Sequence, residues 1–325
     1  MDVLKMAVVG VGVQGKLHAE TLAGMPNVEL VGVADLSDRN REWAEQTLGV
    51  RATSSIADLF PEIDAVSICM PDHLHEQITI EALEAGKRVL LEKPMAVTTE
   101  SCDRILDALE RPDDLMIGHI LRFDPRVIRA RELVQSGELG EIWHVKVWRC
   151  TSQAVGAGIW DRTSVAWFLG IHDIDLVRFV TGLEAEVVHA SGRKVLSPSY
   201  DVVHATLDLS NGGLLSMENN WTLPHGRPSR ADAGLRIIGE RGSVEVSLSH
   251  NDLLHVDRDA AGGNYRDTYF WPSPSGEGAF NLKSELDAFV TSARTGGPTP
   301  VSGADGRAAV QVVEAIEAAL DDAGR

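Results

Sequence analysis

The chain reads as an α/β protein in two parts. Residues 1–121 alternate strands with helices, and residues 122–325 are dominated by short β-rich runs. Three observations carry this reading. Short apolar runs in the first third alternate with segments of helical spacing, the pattern of a parallel sheet with helical crossovers. A Gly-x-Gly-x-x-Gly turn joins the first of these runs to the first helix. From Ile142 onward, strand-like runs follow one another with turn residues between them. A length of 325 residues is comfortable for two domains.

The run Met6–Val9 ends in Gly10-Val11-Gly12-Val13-Gln14-Gly15, and Gln14–Met25 then has helical spacing. That is the strand, glycine turn and helix context in which the pattern carries meaning. Gly10 permits the tight turn, Gly12 lets backbone approach a pyrophosphate, and Gly15 lets the helix pack closely. Amide groups at the helix start, around Val13 and Gln14, then face the phosphates. A second buried run, Val28–Ala34, ends at Asp35. An acid about 20 residues beyond the last glycine accepts hydrogen bonds from the adenosine ribose. Its charge repels a 2′-phosphate, so NAD is expected rather than NADP, with Ser37 and Arg39 near enough to soften the preference. In the competing reading the glycines only mark a tight turn, and Asp35 caps a helix beginning near Ser37.

The alternation continues through strand Ala65–Cys69, helix Leu74–Ala85, strand Arg88–Leu91, helix Thr98–Leu109 and strand Leu115–Ile120. Together these make a Rossmann domain, in which ligands sit beyond the carboxyl ends of the strands. Two such ends carry Met70-Pro71-Asp72-His73-Leu74-His75 and Glu92-Lys93-Pro94. Further on, β-rich runs occupy Ile142–Arg149, Glu186–Val195, Val202–Leu209, Leu214–Trp221, Leu235–Ile238, Ser243–Leu248 and Asp252–Val256. Asn211-Gly212-Gly213 and Glu240-Arg241-Gly242 read as turns. Ala279–Arg294 and Ala304–Leu320 read as helices, the latter with Ala308, Val312, Ile316 and Leu320 on one face.

Composition narrows the function classes. Hydrophobic residues at 44% and charged residues at 24% are ordinary for a globular protein. A net charge of −18 disfavours nucleic acid or an anionic membrane as partner. No apolar run approaches the ~20 residues of a membrane span. The N-terminus enters a strand directly, without a basic leader or cleavage site, so a cytoplasmic location is expected. Cys69, Cys102 and Cys150 make no ligand spacing and read as reduced thiols.

Four separated segments resemble the glucose-fructose oxidoreductase / inositol dehydrogenase / rhizopine catabolism (Gfo/Idh/MocA) family. They are GVGVQG with Asp35, MPDHLHEQITIEALEAGKRVLLEKPMA, ILRFDPRVIRARELVQSGELGEI and GIHDIDLVRFVTG. The closing SGADGRAAVQVVEAIEAAL is similar to the family's last helix. The resemblance implies that the Rossmann domain precedes an α+β domain with a large, open, mostly antiparallel sheet. The outer face of that sheet commonly makes a homodimer or homotetramer. It also implies an NAD-dependent dehydrogenase or reductase acting on a ring hydroxyl or ketone of a sugar, cyclic polyol or sugar derivative. The alternative is a non-catalytic, NAD- or sugar-sensing regulatory protein of the same fold.

The resemblance assigns Lys93 to the nicotinamide ribose and the reacting hydroxyl. The chemistry agrees, because hydride removal from a carbinol requires its proton to leave and an ammonium holds the oxygen or relays that proton. A surface lysine capping the next helix is the plain alternative. Met70, Pro71, His75 and Glu92 are expected beside Lys93 on the cofactor side. His172 opens Ile171-His172-Asp173-Ile174-Asp175 and is the second catalytic candidate. Placed at a helix N-terminus it would stay neutral and able to accept a proton. Asp175, on the same helical face, would fix its tautomer. The family often has Asp four residues before this histidine, where this chain has Phe168. Lys93 and His172 are therefore left to do the acid–base work. Arg122 is a substrate contact or an interdomain ion pair, and Trp160, Asp161 and Trp221 are candidate substrate contacts. No metal site is expected.

Overall fold

The computed structural model describes residues 3–159, 161–224, 231–249, 254–256, 263–265 and 280–323. The chain forms two compact units, Met1–Ile120 with Phe270–Val310, and Leu121–Tyr269 with Gln311–Arg325.

The first unit runs β1 (Leu4–Val9), α1 (Val13–Ala23), β2 (Val28–Ala34), α2 (Asp38–Leu48), β3 (Arg51–Thr53), β4 (Ala65–Ile68), α3 (His75–Glu84), β5 (Arg88–Glu92), α4 (Thr99–Asp107) and β6 (Leu115–Gly118). Its sheet has the order β3-β2-β1-β4-β5-β6 and every pairing is parallel. That is the expected doubly wound topology, with the order reversing between β1 and β4. Strands β4, β5 and β6 are buried at every position, because helices cover both faces. This explains why they read as predominantly apolar runs. The last strand was expected to reach Ile120, but it stops at Gly118 and Ile120–Phe123 closes into a 3-10 turn.

The second unit begins with α5 (Pro125–Gln135), which the sequence reading did not single out. Arg126, Arg129, Arg131 and Glu132 crowd its polar side and blur its apolar spacing. Its start is nevertheless written in the chain, since the buried Asp124 carboxylate accepts from the Arg126 amide (2.9 Å) and Pro125 occupies the first turn. There follow β7 (Ile142–Ser152), the short α6 (Gln153–Gly156), α7 (Ile171–Thr181), β8 (Ala185–Arg193), β9 (Val202–Leu209), β10 (Leu214–Leu223), β11 (Ala231–Gly239) and β12 (Ser243–Ser247). The sheet order is β12-β11-β7-β10-β9-β8. Only β7 and β10 run parallel, so the sheet is mostly antiparallel. Residues 210–213 and 240–242 turn the β9–β10 and β11–β12 hairpins, as expected. Val145, Val147, Leu215, Met217 and Leu235 are buried on one face of the sheet, the face against which α7 packs. A separate small ribbon pairs β13 (Leu254–Val256) with β14 (Gly263–Tyr265).

The chain then forms α8 (Phe280–Thr295) and α9 (Gly303–Ala323). The sequence reading divides the chain once, at 121/122, whereas the units interleave. Helix α8 returns to pack on α1 and β1, and α9 contributes to the first unit as far as Val310 and to the second from Gln311.

Asp201 organises one edge of the second unit. Its Oδ2 accepts from the amides of Val195, Leu196 and Ser197 at 2.6, 2.7 and 3.1 Å. Its Oδ1 accepts from Ser197 Oγ (2.8 Å) and Trp221 Nε1 (2.6 Å). Burial works to raise the pKa of this carboxyl. The donors from Leu196, Trp221, Val195 and Ser197 outweigh burial and hold it below the usual carboxylate range. A depressed folded pKa contributes stability above the unfolded value of about 3.9, and that stability is lost as pH falls. Asp201→Asn should therefore cost about 2 kcal/mol at pH 7, since its amide N–H groups face donors. Urea unfolding across pH should show the gap from wild type narrowing in acid.

Candidate active site

In the first unit the glycine turn is built for close approach. Gly10 has φ +80°, and a Cβ there would stand 2.9 Å from the Cys69 carbonyl oxygen. A Cβ on Gly15 would fall 1.9 Å from the Gly10 carbonyl oxygen. Gly12 is different, because nothing lies within 4 Å of the position its Cβ would take. No side chain caps α1 at Gly12, so the amides of Val13 and Gln14 are left for a ligand. Val13 is 83% exposed at this rim. The open cradle fits the phosphates of a dinucleotide, bound at a helix N-terminus.

Asp35 follows β2 beside this turn. Its Oδ2 accepts from the Val11 amide (2.8 Å) and its Oδ1 from the Ser37 amide (2.8 Å). Asn40 Nδ2 donates to Oδ2 (3.2 Å), and Arg41 Nη1 donates to the Asp35 carbonyl (2.7 Å). Asn40 and Arg41 were missed in the sequence reading. Their position in the first turn of the helix after Asp35 was the signal available. Ser37 and Arg39 are exposed at the same rim.

Lys93 follows β5 at its carboxyl end, two strands along from β1 in the sheet order, and is half-buried. The Lys93–Pro94 peptide is cis. Glu92 is buried, and its Oε2 accepts from the Lys93 amide (3.1 Å) while its Oε1 accepts from Gln14 Nε2 (3.2 Å). One carboxylate thus links the glycine cradle to the lysine. His75 is also buried, with Nδ1 2.8 Å from the Pro94 carbonyl and Nε2 2.9 Å from the Met70 carbonyl. Burial lowers its pKa in spite of those two carbonyls. Its ring is spent on tying the loop after β4 to the loop after β5, where the sequence reading had it meeting the cofactor. Met70 is half-buried and Pro71 exposed on the first of those loops.

In the second unit α7 departs from expectation. Gly170 before it is helical (φ −62°, ψ −33°), and residues Ala166–Gly170 form a π-turn that continues into Ile171. The helical path begins at Ser164, whose carbonyl accepts from the Phe168 amide (3.0 Å). His172 therefore lies inside a continuous helix, not at its free N-terminus, and the dipole argument for its neutrality does not apply. Wide turns of this kind recur at functional sites.

The acids around His172 are engaged with arginines. Asp175 accepts from Arg122 Nε (2.9 Å to Oδ2) and Nη2 (2.5 Å to Oδ1), with both residues buried. Asp175 is thus paired with Arg122, and this ion pair lies within one unit. Asp173 Oδ1 accepts from Arg149 Nη2 (2.7 Å), and its Oδ2 accepts from Asn219 Nδ2 (2.7 Å). Arg149 and Asn219 were not foreseen; each sits at an inward strand position where a polar residue interrupts apolar alternation.

Phe168 packs at 6.3 Å, tilted 50°, on the ring of Trp221. Trp221 is fully buried, which corrects its assignment as a substrate contact: its indole bonds Asp201 and its face lies over Gly156. Asp161 is exposed, and Trp160 lies outside the described residues. Among the described residues, His18, Glu92 and Glu285 are the group of His, Cys and acidic side chains whose atoms converge most closely, within 4.8 Å of one another.

Residues 4–119 match the family model described as the Gfo/Idh/MocA oxidoreductase family, NAD-binding Rossmann fold, and residues 127–245 match that of the Gfo/Idh/MocA C-terminal domain. An inositol 2-dehydrogenase of Rubrobacter xylanophilus is 31% identical over 252 residues, covering 75% of this chain and 71% of that protein. A UDP-N-acetylglucosamine 3-dehydrogenase of Acidithiobacillus ferrooxidans is 30% identical over 260 residues, covering 80% and 78%. The crystal structure of scyllo-inositol dehydrogenase from Lactobacillus casei with NAD(H) and scyllo-inositol superposes with a TM-score of 0.85. It is 24% identical and covers 99% of this chain and 98% of that one.

The glycine geometry separates folding from binding. Gly12→Ala should leave the melting temperature within about 3 °C of wild type, yet weaken NAD at least tenfold by titration calorimetry, because its methyl enters the cradle. Gly15→Ala should cost more than about 3 kcal/mol in stability, since the methyl has nowhere to go.

Proposed function

Because the chain belongs to the Gfo/Idh/MocA oxidoreductase family, we propose that it moves a hydride between NAD and a ring hydroxyl or ketone of a sugar, cyclic polyol or sugar derivative. The observation that carries this reading is Lys93 at the carboxyl end of β5, linked through Glu92 to the cradle at Gln14. The named relatives, dehydrogenases of inositols and of a nucleotide sugar, support the substrate class. The residues fit the cofactor: Gly12, Val13 and Gln14 would hold the pyrophosphate and Asp35 the adenosine ribose. Bound there, the nicotinamide supplies the hydride acceptor or donor. Asp35 disfavours a 2′-phosphate, so NAD is preferred over NADP.

The proton is the protein's task. Lys93 is the proposed anchor for the reacting oxygen, and His172 the proposed base in oxidation and acid in reduction. Phe168, packed on Trp221, brings no acid–base group to this chemistry. Asp175 supports the helix of His172 by pairing with Arg122.

The open face of the second sheet supports a homo-oligomer. On the face opposite the buried one, Leu214 and Ile238 are exposed and Trp148 is half-buried, its indole on Asp232 (3.0 Å). The three free cysteines fit a reducing, cytoplasmic setting. Light scattering on the purified protein should give a dimer or tetramer, and Leu214→Glu with Ile238→Glu should shift it towards monomer.

The decisive assay follows nicotinamide absorbance over a panel of sugars, polyols and their keto forms, with NAD and NADP in separate runs. Turnover with NAD is expected, and Lys93→Ala or His172→Ala should lower kcat by about 10²–10⁴-fold. Tight NAD binding without turnover across the panel would favour the sensing alternative.

A further inference from the structure

Behind Lys93, in the interior of the first unit, three ionisable side chains meet from three elements. His18 of α1 and Glu285 of α8 are fully buried, and Glu92 of β5 is 9% exposed. His18 Nε2 lies 3.1 Å from Glu92 Oε1 and its Nδ1 lies 2.9 Å from Ser67 Oγ. Ser67 Oγ in turn lies 3.6 Å from Cys69 Sγ. Neither carboxyl oxygen of Glu285 has a hydrogen-bond partner, although both are buried. The groups facing the cluster are Gln14 and His18 from α1, Ser67 from β4 and Cys69 just after it, Glu92 from β5 and Lys93 just after it, and Glu285 from α8.

We propose that His18 and Glu285 are positioning residues for Lys93, holding Glu92 as a fixed acceptor that ties the Lys93 amide to the Gln14 side chain of the cofactor cradle. The proposal rests on the reading of Lys93 as catalytic.

Two carboxylates cannot both stay ionised in so dry a place with one cation between them. The protons settle in one arrangement. Burial works to lower the pKa of His18, but Cys69 and Glu92 outweigh it and hold the imidazole well above its ordinary value. Burial would raise Glu92, and His18 and Lys93 together hold it below the usual range. Burial and the charge of Glu92 push Glu285 well above the usual range, leaving it a neutral acid. An imidazolium donates from both nitrogens, to Glu92 and to Ser67, and Ser67 passes its own proton toward Cys69. Glu92 then keeps a full negative charge for Lys93 and Gln14. A metal ion would need His18 and Glu92 to give up the bond they make to each other. A proton already holds the pair.

The test uses the full-length protein with Glu92→Gln, Glu285→Ala and Glu285→Gln. Ring-labelled histidine NMR follows His18, and NAD affinity and kcat are measured beside it. In the wild type, His18 should titrate well above its ordinary value, and in Glu92→Gln that elevation should shrink. The same variant should bind NAD several-fold more weakly and lose about 10–100-fold in kcat, the size of effect expected from a small misplacement of a reacting group. Glu285→Ala should lose about tenfold in kcat by the same displacement, and Glu285→Gln should recover most of it, because the amide is neutral and of the same size. Unchanged His18 titration and NAD affinity in Glu92→Gln would overturn the proposal. So would a Glu285→Gln variant as impaired as Glu285→Ala, or a stoichiometric divalent metal in elemental analysis. The NMR and binding readouts do not need a substrate. They stand or fall separately from the Lys93→Ala assay, which tests the catalytic reading itself.

Discussion

A strand covered on both faces has no exposed side on which to keep a polar residue, and β4, β5 and β6 of the first sheet are such strands. Polar chemistry is therefore expelled to the carboxyl ends of β1, β2, β4 and β5. There, Gly10 to Gly15, Asp35, Met70 and Lys93 stand in sequence-distant but sheet-adjacent positions. Glu92, which does remain inside, is met by His18 and Gln14 as well as by its own neighbour's amide, and these partners offset the cost of burying it. The burial that stabilises the sheet and the arrangement of the site have the same cause.

The second unit obeys the same constraint differently. Its sheet has one covered face, and α7 lies on it with two acids, Asp173 and Asp175, turned inward. Each is matched by a buried arginine, Arg149 and Arg122. Breaking either pair would leave an uncompensated charge, far costlier than the pair's own net contribution. These ion pairs hold the helix that carries His172, so the segment Ile171 to Asp175 combines a candidate acid–base group with its own anchoring.

The N-terminal fold was legible because glycines at Gly10, Gly12 and Gly15, an acid at Asp35 and runs of buried strand each have a local cause and a short range. Strand and helix ends there fell within a few residues of the sequence reading. The pairing of Arg122 with Asp175, of Asp173 with Arg149 and of Glu285 with the His18–Glu92 pair was not legible, because each joins residues far apart in the chain. The beginning of α7 was misread for a related reason. A π-turn over Ala166–Gly170 leaves no mark that distinguishes it from a loop followed by a cap. Trp221 likewise looks the same in sequence whether it faces a sugar or fills a core.

The return of α8 to the first unit has a consequence for how the protein is made. A ribosome that has released the first sheet has roughly 160 residues still to translate before α8 emerges, which takes on the order of ten seconds or more. Through that interval α1 and β1 lack the helix that covers them, and His18 and Glu92 wait without the acid that completes their enclosure. The order of elements along the chain thus leaves the N-terminal sheet without part of its cover until α8 has been translated.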